Sequence, residues 1–242
     1  MKKEAFEMLK EAETSWWYFG RARAIRAVLT RSSVNAVAGP ILDFGAGFGG
    51  MFAELKRLGS EVYAYEPDAA ARAEAATRGY IVTYATYEEA LSRRYALVGL
   101  FDVVEHIEDD LSFLQSLHEA LTPDGLLIIT VPAFTFLWSE HDVMNKHFRR
   151  YTRLSLTTLL QKTGYEPVGL SYWNMLLFFP AALVRLMGHS GSSSLADGFL
   201  NWIFTLVVTV EAFFIRLFSL PFGVSLVVVA RKSNVTINKD NL

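Results

Sequence analysis

The sequence contains no cysteine among its 242 residues. Disulfide bonds, thiolate zinc sites and cysteine nucleophiles are therefore excluded, and the composition suits a reducing compartment. Positive charge is not in excess either, because 23 basic and 25 acidic residues give a net charge of -2. No broad basic field favours nucleic acid as a partner. The first residues are charged and lack the apolar stretch of a secretory signal, which predicts a cytoplasmic protein.

Apolar residues, by contrast, make up 52% of the chain. Between residues 40 and 131, short apolar runs alternate with segments of helical pattern, joined by short connections. The runs predicted as strands are 40–44, 61–65, 80–84, 95–101 and 126–131. This alternation predicts an α/β fold with a doubly wound parallel sheet, whose ligands bind at the carboxyl ends of the strands.

The strongest motif follows the first of these strands. Gly45, Gly47 and Gly50 have the G-x-G-x-x-G spacing, between a strand and a helix. Glycine is needed there because the backbone turns sharply and a ligand must approach without a Cβ in the way. Glu66 closes the second strand roughly 20 residues after Gly45, where a carboxylate can accept both hydroxyls of a ribose. The pattern predicts a cofactor that contains adenosine.

Asp43, two residues before Gly45, indicates which cofactor this is. A nicotinamide dinucleotide would place its pyrophosphate against the glycine loop, where the charge of Asp43 would repel it. S-adenosylmethionine has no phosphate and carries an ammonium and a sulfonium group, which the same charge attracts. The charge therefore favours S-adenosylmethionine, and an NAD(P)-dependent oxidoreductase is the alternative.

Three stretches together resemble a known family: Asp43-x-Gly45-x-Gly47, then Glu66-Pro67-Asp68, then the run from Asp102 to Asp109 that reads DVVEHIED. They are similar to those of class I S-adenosylmethionine-dependent methyltransferases, in the small-molecule branch of type 11 and type 23. The resemblance implies a Rossmann-like sheet of seven strands, mostly parallel. Its last strand, at 223–230, would be antiparallel and pair with 165–172. It also implies a single methyltransferase domain over residues 1–242.

The resemblance implies roles for individual residues as well. An N-terminal helical lid, residues 1–35, would cover the cofactor with Trp17 and pair Arg21 with the cofactor's carboxylate. The alternative is a helix that packs its aromatic side chains on the edge of the sheet. The implied cofactor-binding residues are Asp43, Gly45, Ala46, Gly47, Glu66, Pro67, Thr86, Asp102 and Val103, with Trp17 and Arg21 of the lid.

Candidate catalytic residues follow the fifth strand, in the segment 140–151. A base is needed only where the acceptor carries a proton, and His147, His141 and Tyr151 are the groups predicted for it. The competing interpretation of each is structural: a loop hydrogen bond or a solvated helix start. His141, Asp142 and His147 lack the H-E-x-x-H spacing of a zinc site, so no metal is expected.

Residues 174–220 are strongly apolar and are predicted to form a helical insertion between the last two strands. The stretch 199–220 is long enough to span a bilayer. However, Glu211 near its middle and the return of the chain to the sheet argue against a crossing. We expect a helical hairpin in the membrane interface, or an apolar hood over a lipophilic acceptor. Helices buried against the domain or in a dimer are the alternative.

Together these observations predict methyl transfer from S-adenosylmethionine to a small-molecule acceptor, with oxygen as the favoured acceptor atom. If the insertion meets a membrane, the acceptor is expected to be apolar, a lipid or a lipid-linked glycan. The protein would then lie peripherally on the inner face of that membrane. A non-catalytic scaffold that binds the cofactor and recruits a membrane partner is a further alternative. It predicts that His141, His147 and Tyr151 can be replaced without loss of function.

Overall fold

The computed structural model describes residues 15–186 and 198–233. Seven strands in this part of the chain form one sheet. They are β1 Ile41–Phe44, β2 Val62–Tyr65, β3 Thr83–Tyr84, β4 Tyr95–Phe101, β5 Leu121–Pro132, β6 Tyr165–Trp173 and β7 Ser225–Lys232.

The strand order across the sheet is β3-β2-β1-β4-β5-β7-β6. The pairs among the first five strands are parallel, whereas β7 runs antiparallel to both β5 and β6. The predicted fold class, a Rossmann-like seven-stranded sheet that is mostly parallel with an antiparallel last strand, is confirmed. Because the chain leaves β1 towards β2 and later returns to β4 on its other side, strand order reverses between β1 and β4. Ligands of such sheets bind above the carboxyl ends of the strands at that point.

Nine α-helices are present among the described residues. They are α1 Trp16–Arg31, α2 Phe52–Leu58, α3 Ala69–Ala76, α4 Tyr87–Leu91, α5 Asp110–Ala120, α6 Glu140–Met144, α7 Arg153–Lys162, α8 Phe178–Leu186 and α9 Gly198–Leu217. Several begin at a side-chain cap. The Asp68 carboxylate accepts two backbone N–H groups at the start of α3, and Thr86 forms a capping box with Glu89 at the start of α4.

The central strands are covered on both faces, which explains why their sequences are continuous apolar runs. Every residue of β1 and of β4 is buried. Parallel strands packed between two layers of helices have this pattern, whereas a strand with one solvated face alternates.

Helix α1 lies between the sheet and α9. It contacts β6 and β7 on one side and α9 on the other. A Cβ on Gly20 would lie 3.1 Å from Val208, so α1 and α9 approach closely because residue 20 has no side chain. Arg31 donates to the carbonyl of Ile215 at 2.6 Å, and the Trp16 backbone N–H donates to Asn201 at 2.8 Å. Helix α9 is therefore held against the domain along most of its length.

Helices α8 and α9 fall between β6 and β7 in the sequence, within the stretch predicted as an insertion. Residues 187–197 of that stretch lie outside the described residues, as do residues 1–14 of the predicted lid.

Candidate active site

The glycine loop follows β1 and has the conformation that its residues predict. Gly45 and Gly47 have φ of 74° and 56°, in the left-handed region that favours glycine. A Cβ on Gly45 would come within 2.8 Å of the Val103 side chain, so Gly45 has no room for one. A Cβ on Gly47 would meet nothing within 4 Å, which leaves open space beside the loop. A ligand can therefore approach the backbone at Gly47.

Glu66 is fixed beside this loop by two backbone groups. Its Oε2 accepts the Gly47 N–H at 2.8 Å and its Oε1 accepts the Asp68 N–H at 2.9 Å. The side chain is buried, and this burial raises the pKa of the carboxyl above its ordinary value despite both hydrogen bonds. Each oxygen keeps a second lone pair, so the carboxylate can still accept hydroxyls.

Asp43 lies inside β1, opposite Ala64 of β2 and Gly99 of β4. It is 1% exposed, and its Oδ2 accepts the Tyr80 hydroxyl at 2.5 Å. The sequence did not predict this partner, which holds the carboxylate beneath the glycine loop. The predicted attraction of Asp43 for a cationic cofactor stays a prediction.

Asp102 and Arg21, 81 positions apart, meet at the end of β4. Arg21 Nη1 donates to Asp102 Oδ2 at 2.6 Å, and the Thr130 hydroxyl donates to Oδ1 at 3.0 Å. Asp102 has a φ of 59°, which turns the chain sharply after the strand. The Nε of Arg21 is buried and has no hydrogen-bond partner in the described structure.

The other residues predicted around the cofactor lie on the same edge of the sheet. Pro67 follows Glu66, and Thr86 follows β3, where its hydroxyl accepts the Glu89 N–H at 3.3 Å. Ala46 and Val103 are partly buried against the core. The Trp17 ring lies with its centroid 4.5 Å from that of Trp173, at the end of β6. Packing of aromatic side chains against the sheet, the competing interpretation of the lid, thus describes Trp17 in this structure.

Asp142 organises the segment after β5. It is fully buried and forms a bidentate pair with Arg150, with Nε and Nη2 each 2.8 Å from a carboxylate oxygen. Oδ1 lies 2.9 Å from His147 Nδ1, and Oδ2 accepts the Ser139 N–H at 2.8 Å. Burial alone would raise the pKa of Asp142, but the hydrogen bonds from His147 and Arg150 outweigh it and hold the pKa well below its ordinary value.

His147 is oriented by this carboxylate. Because an ionised carboxylate can only accept, His147 Nδ1 carries a hydrogen, and in the neutral imidazole Nε2 is then the acceptor. His141 is exposed, and its Nε2 lies 3.0 Å from the Asn145 side-chain nitrogen. The two imidazole centroids are 6.3 Å apart. The structure thus places both predicted histidines in one region and gives His147 a buried acidic partner, Asp142.

Tyr151 does not fit its predicted catalytic role. It belongs to the hydrophobic core at 3% exposure, and its hydroxyl donates to Asp110 at 2.7 Å. Burial and this hydrogen bond raise the pKa of Tyr151 above its ordinary value. A buried phenol that already donates its proton to a carboxylate does not take one from an acceptor, so the prediction is corrected to a structural role.

Glu105 and His106 were not assigned a functional role from the sequence. They lie in a single 3-10 turn after β4, Val104–His106, and the His106 ring centroid is 4.6 Å from that of His147. Glu105 is 1% exposed, and neither of its carboxylate oxygens has a hydrogen-bond partner in the described structure. Burial and the nearby charge of Asp102 raise the pKa of Glu105 well above its ordinary value. The sequence signal was an acid followed by histidine directly after a buried strand.

The sheet order, the glycine loop after β1 and the acid after β2 together define a class I methyltransferase fold. The chain belongs to the methyltransferase domain family, whose model matches residues 16–170. The family confirms the predicted enzyme class and its cofactor, S-adenosylmethionine.

Individual relatives agree with this family. A ubiquinone biosynthesis O-methyltransferase of Ruegeria pomeroyi is 38% identical over 98 residues, which are 36% of this chain and 39% of the relative. The chain thus matches about two fifths of the length of such relatives.

Solved structures share the fold at low identity. A protein from Galdieria sulphuraria, assigned as a sarcosine dimethylglycine methyltransferase, has a TM-score of 0.59 at 16% identity, covering 88% of this chain and 86% of that one. The N-methyltransferase NodS from Bradyrhizobium japonicum, solved with S-adenosyl-L-homocysteine, has a TM-score of 0.54 at 15% identity, covering 88% and 87%.

Proposed function

We propose that this protein transfers a methyl group from S-adenosylmethionine to a hydroxyl oxygen of an apolar small molecule. The observation that carries the proposal is the Glu66 carboxylate, fixed by the N–H groups of Gly47 and Asp68 beside the open space at Gly47. A buried acid at the end of β2 with lone pairs to spare fits the two hydroxyls of a ribose. The family match favours this reaction over the dinucleotide-dependent alternative.

The remaining residues fit the rest of that cofactor. Arg21 and Asp102, at the end of β4, offer a guanidinium and a carboxylate to the carboxylate and ammonium of its methionine part. When bound, S-adenosylmethionine supplies an electrophilic methyl group, whose bond to sulfur breaks as an acceptor oxygen forms the new C–O bond. The protein's own contribution is to align that oxygen and to remove its proton.

The acceptor is expected on the side of the segment that follows β5. Asp142 fixes the orientation of His147, and the His147 ring packs against His106, whose pKa is lowered by burial. An imidazole held by a buried carboxylate is suited to help deprotonate a hydroxyl. The relatives' name, ubiquinone biosynthesis O-methyltransferase, supports an oxygen acceptor on a lipophilic molecule for this chain too.

Replacing His147 with Ala should lower turnover about 100-fold and change the affinity for S-adenosylhomocysteine less than about threefold. The imidazole acts on the acceptor, while the cofactor is held by other residues. Single-turnover kinetics with a quinol acceptor and isothermal titration measure the two effects separately. His118→Ala is the matched control, because His118 lies at the far end of α5 beside Lys232. An equal loss of affinity and turnover in His147→Ala would make His147 a cofactor-binding residue, and unchanged turnover would favour the non-catalytic scaffold.

An apolar acceptor agrees with a second feature, the outer face of α9. This helix is long and apolar enough to cross a membrane, and most of its surface is exposed. A stripe of exposed apolar side chains runs along it at three- and four-residue spacing: Phe199, Trp202, Leu206, Val210, Phe213 and Leu217. Monomeric proteins rarely expose so long an apolar stripe to water.

The stripe is proposed to rest in a membrane interface and to keep the protein at the surface where a lipophilic acceptor resides. A crossing by α9 is not compatible with the sheet, because β6 before it and β7 after it are hydrogen-bonded neighbours. In addition, Glu211 on the inner face of α9 accepts the N–H groups of Met175 and Leu176 at 2.7 and 2.9 Å. That face is therefore fixed to the domain, and the stripe faces outward.

Replacing both Trp202 and Phe213 with Ser should abolish flotation with phosphatidylcholine vesicles. Each large side chain contributes about 1.5–3 kcal/mol when transferred from water, so the pair accounts for at least about a hundredfold in partitioning. Because the vesicles are neutral, flotation reports the burial of apolar side chains and not electrostatic attraction to the lipid. The control replaces Ile81 and Leu154 with Ser, two apolar residues exposed elsewhere at 52% and 76%. Failure of the unaltered protein to float, or equal loss in both double variants, would contradict membrane contact through α9.

A further inference from the structure

Three side chains beside the proposed methyl-transfer site form a cluster with the composition of a metal site. Glu105, His106 and His147 each offer one ligand atom, and these atoms all lie within 4.8 Å of one another. Two come from the turn after β4 and the third from the segment after β5. Residues distant in sequence therefore converge on one point at the carboxyl edge of the sheet.

The Glu105 carboxylate is buried without a hydrogen-bonding partner among the described residues. It is 1% exposed, and both oxygens are buried without a hydrogen bond in the described structure. A buried polar group left unpaired costs several kcal/mol, and folded proteins satisfy nearly all such groups. Because the other two members of the cluster are imidazoles, a cation that binds all three would satisfy this carboxylate.

His147 is oriented as histidine ligands of metal ions usually are. Asp142 Oδ1 lies 2.9 Å from His147 Nδ1, and the His106 ring packs edge-on against the His147 ring with their centroids 4.6 Å apart. His147 is thus fixed through Nδ1, and in its neutral form Nε2 is the nitrogen with a lone pair for a metal ion. Metal-binding histidines have this arrangement, in which an outer carboxylate or carbonyl sets the tautomer and the ring direction.

We propose that Glu105, His106 and His147 bind one divalent transition-metal ion. Two imidazole nitrogens and one carboxylate oxygen suit Zn²⁺ and its first-row neighbours better than Mg²⁺ or Ca²⁺, which prefer oxygen alone. Three protein ligands leave a coordination position open, as in catalytic rather than structural sites. The sequence argument against zinc considered only His141, Asp142 and His147, and so it combined one ligand of this cluster with a residue that orients that ligand.

The open position defines a role that rests on the proposed methyl transfer. A hydroxyl oxygen bound there would lose its proton to water more readily, because a divalent ion lowers the pKa of a bound hydroxyl. His147 then helps to deprotonate the acceptor as a ligand of that ion, and the loss of turnover expected in His147→Ala is unchanged. An acceptor with a phenolic hydroxyl matches this chemistry.

The test is binding of Co²⁺ to the full chain after treatment with a chelator. Cobalt substitutes for zinc and has visible absorption bands that report nitrogen and oxygen ligands. We expect one Co²⁺ per chain, displaced by Zn²⁺. Glu105→Gln and His147→Ala should each weaken binding at least about 100-fold. His141→Ala, the matched control from the same segment, should stay within about threefold of the unaltered protein.

The assay contains no methyl acceptor, so its outcome does not depend on the proposed reaction. Titration with S-adenosylhomocysteine in the same variants shows that each is folded. Absence of stoichiometric binding would overturn the site. So would binding that survives Glu105→Gln and His147→Ala, or that His141→Ala weakens equally. Metal binding without methyl transfer to any hydroxyl would retain the site and reject the proposed function.

Discussion

Glu66→Ala is expected to reduce the affinity for S-adenosylhomocysteine at least about 100-fold. A hydrogen bond to a charged acceptor contributes about 1.5–3 kcal/mol, and two ribose hydroxyls would lose theirs together. The substitution also frees the Gly47 and Asp68 N–H groups that the carboxylate now accepts at 2.8 and 2.9 Å. The glycine loop would lose its attachment to the end of β2, and the ribose would lose the carboxylate that accepts its hydroxyls. Isothermal titration measures the change directly.

Glu61→Ala is the matched control, because Glu61 is an exposed acid just before the same strand. Its affinity for S-adenosylhomocysteine should equal that of the unaltered protein. Titration with NADH should show no binding by any of the three proteins. Retained affinity in Glu66→Ala would remove Glu66 from the cofactor site, and NADH binding would return the dinucleotide alternative.

The fold could be predicted from the sequence because its determinants are local. Short apolar runs, followed by Gly45 and by Glu66, predicted β1 and β2, and the glycines predicted the loop between β1 and α2. Helices α4, α6 and α7 were not predicted. Helix α4 is only five residues long, although the run from Thr86 to Glu89 contains its capping box. The pairing of the last strand with residues 165–172 followed from the family resemblance and not from periodicity.

The interior of the site could not be predicted in the same way, because its contacts join distant parts of the chain. Asp43 pairs with Tyr80, 37 positions away, and Arg21 pairs with Asp102, 81 positions away. Tyr151 was misassigned because a tyrosine next to histidines and arginines gives no sign of burial. Only the packing of Tyr151 against the core and its hydrogen bond to Asp110 show it.

The structure explains why an acidic residue, Glu211, stands in the otherwise apolar helix α9. A lone acid in an apolar helix predicted a high cost for a membrane span. In the structure the carboxylate is 2% exposed and accepts the N–H groups of Asn174, Met175 and Leu176. Burial raises the pKa of Glu211 in spite of these bonds. Helix α9 thus fixes the turn that follows β6, while its opposite face remains apolar and exposed.

Asp142→Ala should lower the free energy of unfolding by about 3–5 kcal/mol, because it leaves the Arg150 guanidinium buried without its charge partner. Arg150 is 6% exposed, and two of its nitrogens lie 2.8 Å from the carboxylate oxygens. Urea denaturation at pH 7 measures the loss. Glu140→Ala, an exposed acid in the same helix, should cost less than about 1 kcal/mol. A similarly small loss in Asp142→Ala would show that the pair adds little to stability.

Two further measurements separate the charge pair from simple loss of packing. Combining Asp142→Ala with Arg150→Met should restore part of the stability, since no unpaired buried charge remains. The pH dependence has a definite sign, because the pKa of Asp142 is lowered in the folded protein. At acid pH the Asp142 carboxylate stays charged in the folded protein, whereas the same group in the unfolded chain takes up a proton. The contribution of this charge to the free energy of unfolding is therefore complete above about pH 5 and falls as the pH drops below about 4. The difference between the unaltered protein and Asp142→Ala should therefore narrow in acid, and a constant difference would assign the loss to packing.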